Sequence, residues 1–227
     1  MTMVIAHRGA SARERENTVA AFELAVQLGA DAVELDVRRT ADDRLVVHHD
    51  ACVPDGRVIR NTPAAELPDH VPTLDAALDA CAGMAVNIEI KNDPSEPDHD
   101  PSDWVAWHVG SALARRGGGP RWLISSFRLA TVDQVRRVAP AVRTAWLTLG
   151  LDADVIATTR AHGHTIVHPW EAALSLDALR AAHGAGLTVN TWTCDEPDRI
   201  SELLGWGIDG ICTNVPDVAL AMRARSG

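Results

Sequence analysis

Lysine is nearly missing from this 227-residue chain: 20 of its 21 basic residues are Arg, and the one Lys is Lys91. Runs of basic residues are missing too, and the formal net charge is -10. Those two absences exclude long-range attraction to nucleic acid or to an anionic bilayer, so an anionic substrate needs local help. No CxxC pair occurs among Cys52, Cys81, Cys194 and Cys212. Their wide spacing excludes a paired-cysteine zinc signature and a dense disulfide framework, and they read as reduced, mostly buried thiols of a cytoplasmic protein. No apolar run is long enough to span a bilayer, so no stable membrane insertion is expected. Met1 to Ala6 read directly into a buried strand without a charged segment ahead of a long apolar one, so no signal peptide is expected either. Recurring sequence with a period of about 20 to 50 residues is likewise absent. The oligomeric state is not legible.

What is present is an ordinary globular balance, 46% hydrophobic and 23% charged, which argues against disorder. Apolar, β-branched runs alternate with helical patterns from one end to the other. The strand candidates are Val4–His7, Ala32–Val37, Val86–Lys91, Leu123–Ser126, Thr144–Leu149, Thr165–His168, Thr188–Thr193 and Gly210–Thr213. Eight strands with intervening helices favour a closed α/β (β/α)8 TIM barrel over an open doubly wound sheet. The whole chain, residues 1–227, reads as a single domain of that kind. A further extended run, Arg44–His49, follows the turn-forming Thr40-Ala41-Asp42-Asp43 and reads as the return arm of a hairpin after the second strand. Helix start signals include Asn17-Thr18 ahead of Val19, Phe22, Ala25 and Val26, and Thr73 ahead of Leu74 and Leu78; Gly29 supplies a stop. Cys52–Pro72 and Asp93–Ser102 are the long irregular stretches, and they follow His49 and Lys91, which makes both candidate site loops.

Strand periodicity puts Glu34 and Asp36 of Ala-Val-Glu-Leu-Asp-Val on one face and Val33, Leu35 and Val37 on the other. Glu89 and Lys91 repeat the arrangement in Val-Asn-Ile-Glu-Ile-Lys. Three inward carboxylates would repel one another unless a cation lies between them. A divalent ion would resolve this, and all-oxygen ligation favours Mg²⁺ or Ca²⁺ over zinc. The competing reading makes Glu89 and Lys91 a buried ion pair that fills a barrel layer. His7 and Arg8 close the first strand ahead of Gly9, which lets the chain turn sharply. Arg8 suits bidentate binding of phosphate oxygens, and His7 can exchange a proton near neutral pH. Of the neighbours His48 and His49, alternation lets one face the site, not both. A second imidazole there would provide the two proton transfers that a phosphodiester displacement needs.

In this order, His7-Arg8-Gly9, Glu16-Asn17-Thr18, Glu34-Leu35-Asp36, His49-Asp50 and Glu89-Ile90-Lys91 resemble the signature of glycerophosphodiester phosphodiesterases. The resemblance continues through Pro72-Thr73-Leu74, Ser126-Phe127, Gly186-Leu187, Trp192-Thr193 and Gly207-Ile208-Asp209-Gly210, and so covers nearly the whole chain. It implies Glu34, Asp36 and Glu89 as ligands of one divalent cation, Mg²⁺ or Ca²⁺. It implies His7 and His49 as the acid/base pair, and Arg8 and Lys91 as the groups that hold the phosphate. Trp192 would wall the alcohol part of the substrate, although it reads equally as a barrel-filling aromatic. Glu16-Asn17-Thr18 is expected to shape its loop and cap the first helix, with contact of Glu16 to Arg8 or to the metal shell as the alternative. The implied activity is hydrolysis of a small-molecule glycerophosphodiester to sn-glycerol 3-phosphate and an alcohol. The alternatives are lysophospholipase D-like action on lipid phosphodiesters and a non-catalytic barrel that binds phosphorylated ligands. The chain departs from the family pattern at Arg15 (usually Pro), Asp195 (usually Asn) and Asn214 (commonly Asp). The insertion at about residues 50–72 is also short and lacks the usual Arg-Thr-Thr pattern, which bears on substrate choice. His168-Pro169-Trp170 falls on the rim of the barrel without an assigned role.

Overall fold

A computed structural model describes residues 1–226 of the chain. Nine strands run through the described residues: β1 (Met3–Ala6), β2 (Ala32–Arg39), β3 (Leu45–Val47), β4 (Ala85–Ile90), β5 (Trp122–Ser126), β6 (Arg143–Thr148), β7 (Ile166–Pro169), β8 (Thr188–Thr191) and β9 (Gly210–Thr213). Eight of them pair in parallel in the cyclic order β1, β2, β4, β5, β6, β7, β8, β9 and back to β1, which closes a barrel. Helices α1 (Val19–Leu28), α2 (Leu74–Ala80), α3 (Trp104–Arg116), α4 (Leu129–Val138), α5 (Ala153–Ala161), α6 (Leu176–Gly184), α7 (Pro197–Trp206) and α8 (Pro216–Ser226) fill the connections. This is the expected (β/α)8 architecture.

The outward residues of the strands and the inner faces of the helices make the core. Val33, Leu35 and Val37 of β2 pack with Ile88 and Ile90 of β4, Phe22 and Ala25 of α1, and Leu74 and Leu78 of α2. Each such buried branched side chain contributes about 1.5–3 kcal/mol, so the alternating pattern fixes which parity of every strand faces inward. The helix signals act as expected: the hydroxyls of Thr18 and Thr73 accept from the amides of Ala21 and Ala76, and Gly29 ends α1 at φ 79.

Beyond its barrel pairing, β2 runs on to Arg39 and its last three residues pair antiparallel with β3, which is the expected hairpin outside the barrel. Several strands end earlier than their alternation suggests. β1 stops at Ala6 instead of His7, β4 at Ile90 instead of Lys91, β8 at Thr191 instead of Thr193, and β3 is only Leu45–Val47. At the end of β1 the reason is visible: Arg8 has φ 56 and Gly9 φ 85, so the chain turns out of the sheet directly after His7. A Cβ on Gly9 would lie 2.6 Å from the backbone of Ala21, so only glycine fits the turn.

The two irregular stretches differ. Residues 52–72 carry a Cys52–Val58 bridge and two short 3-10 turns, and bury Val53, Ile59 and Leu67 against Val46 of β3. Residues 93–102 instead turn back toward the barrel mouth, as described below. All four cysteines are free, and no helix among the described residues is long and apolar enough to cross a membrane.

Candidate active site

The inner faces of β2 and β4 bring Glu34, Asp36 and Glu89 together, with one ligand oxygen from each within 4.8 Å of the others. Glu34 and Asp36 are almost fully buried, at 3% and 1% exposure. One oxygen of Glu34 accepts the backbone N–H of Arg8 at 3.0 Å, while the other, Oε1, is buried without a partner. Burial, together with the charges of Asp36 and Glu89, pushes the Glu34 carboxyl well above the usual carboxylate range. Burial raises Glu89 as well, with the Asp36 charge adding to it. Burial also opposes the charge on Asp36, but Lys91 and Arg8 outweigh it and hold this carboxyl at about 2. An orphaned carboxylate oxygen among three converging acids fits a hard divalent cation, because oxygen donors of this charge suit Mg²⁺ or Ca²⁺.

Two cations flank the acids. Lys91 Nζ donates to Glu89 Oε1 at 2.7 Å and lies 3.5 Å from Asp36 Oδ1. Arg8 lies with Nε 3.3 Å from Asp36 and donates through Nη1 to both oxygens of Glu16, at 3.0 and 2.9 Å. Glu16 therefore orients Arg8 instead of capping a helix. The cap is Thr18, and Asn17, at φ 57, uses its side-chain amide to hold Asp36 at 2.8 Å.

Both imidazoles border this cluster, in different settings. His7 Nε2 lies 3.9 Å from Glu34, and His7 Nδ1 lies 2.8 Å from Asn214 Oδ1. Asn214 donates through Nδ2 to Asp195 at 2.6 Å, and Ser11 Oγ approaches its Oδ1 at 2.7 Å. With the amide orientation set by Asp195, Oδ1 must accept from His7 Nδ1–H, which leaves the Nε2 lone pair toward the acids. The two family departures, Asp195 and Asn214, are thus one hydrogen-bonded pair behind His7. Burial, and then the charge of Arg8, lowers the His7 pKa. His49 is more open, with a third of its side chain exposed, and Nδ1 lies 2.7 Å from the carboxylate of Asp50. Burial and the charges of Lys91 and Arg8 lower its pKa, against the pull of Asp36. His48 turns the other way and meets the Asp50 carbonyl at 2.9 Å.

The rest of the mouth is apolar. Continuing the inward parity past β5, β6, β7 and β8 reaches Phe127, Leu149, Trp170 and Trp192 in turn. The rings of Phe127 and Trp192 meet edge to face at 5.2 Å, and the backbones of Trp170 and Trp192 pair in an isolated parallel bridge. Leu149 is 70% exposed, Trp170 44% and Phe127 36%. Trp192 lines one cavity with His7, Glu34 and Glu89, and Phe127 lines the next with Glu89 and Lys91, so this arc adjoins the charged cluster. Below it His168 is fully enclosed, accepts from Asn190 Nδ2 at 3.0 Å, and is pushed down to about 3 by burial and by Arg143. Sequence reasoning missed the Asn17, Asn214 and Asp195 contacts, and it missed Arg38. The period-two parity that turned Glu34 and Asp36 inward would have turned Arg38 inward as well.

A model of the Glycerophosphoryl diester phosphodiesterase family matches residues 7–218. A glycerophosphodiester phosphodiesterase of Caldanaerobacter subterraneus subsp. tengcongensis is 27% identical over 253 residues, covering 100% of this chain and 99% of the relative. The solved glycerophosphodiester phosphodiesterase of Parabacteroides distasonis superposes with a TM-score of 0.86 at 26% identity, covering 100% of this chain and 98% of the other. An Oleispira antarctica phosphodiesterase, solved with its product sn-glycerol-3-phosphate, shares the fold with a TM-score of 0.86 at 22% identity, covering 98% and 96%.

Proposed function

The chain belongs to the glycerophosphoryl diester phosphodiesterase family, and from that premise we propose that it hydrolyses glycerophosphodiesters to sn-glycerol 3-phosphate and an alcohol, as a single catalytic domain. The observation that carries this reading is the convergence of Glu34, Asp36 and Glu89 beside His7, Arg8 and Lys91, with His49 within reach of the Asp36 charge. A divalent cation of the Mg²⁺ or Ca²⁺ class, held by those three carboxylates, would supply positive charge against the phosphate oxygens when bound. Arg8 and Lys91 add donors to the same oxygens and offset the charge that develops on them. His7, neutral and backed by an amide oxygen, suits the role of base: its Nε2 takes a proton from the attacking oxygen as that oxygen bonds to phosphorus. His49, backed by the Asp50 carboxylate, suits the role of acid and returns a proton to the alcohol oxygen as the P–O bond breaks. The attacking oxygen belongs to water or to the neighbouring hydroxyl of the glycerol, and phosphorus NMR separates the two by a cyclic product.

The apolar arc favours a second reading, lysophospholipase D-like, in which the glycerol carries an acyl chain, as in a lysophospholipid, and the head-group alcohol is released from an acylated glycerol phosphate. Phe127 and Trp192 offer such a chain an apolar surface that adjoins the charged cluster, and Trp170 and Leu149 are exposed at the following inward positions of the rim. The experiment is a diester panel, including glycerophosphocholine and its lysolipid, assayed with Mg²⁺, Ca²⁺ and chelator. Metal-dependent release of sn-glycerol 3-phosphate supports the first reading, and preference for the lysolipid supports the second. Inertness toward the whole panel in either metal would overturn both.

A further inference from the structure

The last inward residue of β2 is Arg38, whose side chain is wholly buried although it lies beside the mouth of the barrel. Every N–H of its guanidinium is engaged. Nε donates to the carbonyl oxygen of His49 at 2.9 Å, and Nη2 donates to the same oxygen. Nη1 donates to Glu96 at 2.8 Å and Asp98 at 2.6 Å, and Nη2 donates again to Glu96 at 3.0 Å. A guanidinium with its five donors in use and no exposed surface has nothing left for a phosphate, so Arg38 is not a substrate ligand.

Its geometry suits another task. The β2–β3 ladder gives out just before the active-site imidazole: Val37 pairs with Val47, His48 N–H still reaches the Asp36 carbonyl, and the chain then leaves the sheet. His49 therefore lies beyond the last ladder bond, on a stretch that loop packing alone would leave loose. The Arg38 fork takes over there, gripping the His49 carbonyl on one side and the segment after β4 on the other. That segment, which carries Glu96 and Asp98, follows directly on Lys91 and is anchored at its base by Asn92, which meets Asp100 and Asp103. We infer that Arg38, clamped by Glu96 and Asp98, is a positioning residue that fixes His49 over the carboxylate cluster and couples the His49 loop to the Lys91 loop. Lysine could not replace it, because an ammonium has three donors and no planar fork to span two carboxylates and a carbonyl.

The inference rests on the proposed role of His49, and a double-mutant cycle tests it. With divalent cation and substrate saturating, Arg38→Lys is expected to lower kcat roughly 10- to 100-fold, as a displacement on the order of 1 Å does, with KM changed less than about threefold. In a His49→Ala background, adding Arg38→Lys is expected to change kcat less than about twofold, because the residue acts through His49. An equal multiplicative loss in both backgrounds, or a rise in KM with kcat intact, would overturn it. If Arg38→Lys does not fold, Glu96→Gln loosens the clamp from its partly exposed side and is expected to show a smaller loss with the same dependence on His49. A readout free of catalysis separates this from failure of the proposed activity: the His49 ring signal, assigned by its disappearance in His49→Ala, is expected to shift and broaden in either clamp variant while that of His7 stays in place. An unmoved His49 signal would sink the clamp even in an active enzyme, whereas a moved signal in an enzyme inert to all diesters would leave the clamp standing and remove the activity.

Discussion

The barrel mouth has two unlike halves built on the same strand parity. Around β9, β1, β2 and β4 the topmost inward positions are Asn214, His7, Arg38 and Lys91; around β5, β6, β7 and β8 they are Phe127, Leu149, Trp170 and Trp192. In the first half most side chains are tied to a charged or polar neighbour, and Glu34 Oε1 is among the buried polar atoms there that have no hydrogen-bond partner. In the second half Phe127, Leu149 and Trp170 are exposed, while Trp192 is half-buried and donates its indole N–H to the His168 carbonyl at 2.8 Å. A barrel rim can thus hold a rigid electrostatic site on one side and an adaptable apolar surface on the other. Charge needs fixed partners when water is excluded, whereas apolar contact is non-directional.

The contrast breaks most sharply in the charged half. Glu34→Gln and Asp36→Asn are each expected to lower kcat/KM by about 10³-fold or more, since each removes a preorganised charge, while leaving the fold intact by circular dichroism. Hydrolysis near wild-type rate by Asp36→Asn would detach this half from catalysis. Next in size is the effect of metal. Mg²⁺ or Ca²⁺ at 100 times its Kd is expected to stabilise the protein by about 2.7 kcal/mol, read as a rise in melting temperature that chelator reverses. Because burial raises the pKa of Glu34 and Glu89, protons compete for those oxygens at low pH, so the rise is expected to be larger at pH 8 than at pH 5. An equal rise at both would point to a site elsewhere.

The apolar half is sharpened by Leu149→Ser and Trp170→Ser. Each is expected to weaken kcat/KM for a long-chain lysolipid by about 10-fold, in keeping with the 1.5–3 kcal/mol of a buried apolar side chain only partly realised on a rim. Hydrolysis of glycerophosphocholine should stay within twofold or so of wild type. Equal losses on both substrates would erase the distinction. The smallest effect is expected beneath the arc. His168 is held near 3 against an ordinary value of 6.5, so the folded state binds fewer protons than the unfolded chain below pH 6.5, and stability falls as pH drops from there toward 3. At pH 5.5 the loss is about 1 kcal/mol. Urea titrations at pH 7.5 and 5.5 should show that loss shrinking in His168→Gln.

The eight barrel strands and the hairpin arm could all be read in the sequence, because alternation with a period of two follows from burying one face of each strand. Strand ends were less legible. At His7, Lys91 and Trp192 the alternation continues while the ladder stops, since these side chains need the inner face but not the sheet. The residues 52–72, which looked irregular, bury a small apolar cluster whose members Val53, Ile59 and Leu67 follow no regular spacing. For Glu16 the sequence favours a loop-shaping role, with contact to Arg8 as the alternative; the contact is the one made, across eight residues of chain that carry no periodic signal.

The sequence by itself determined the strand count, the inward parity of Glu34, Asp36, Glu89 and Lys91, and the helix caps, because each depends on residues a few positions apart. Tertiary structure alone decided that Asn17 grips Asp36, that Asp195 and Asn214 form one pair behind His7, and that Arg38 reaches Glu96 and Asp98. These partners are brought together by barrel closure across 19 to 60 residues of chain, and no local period records that distance.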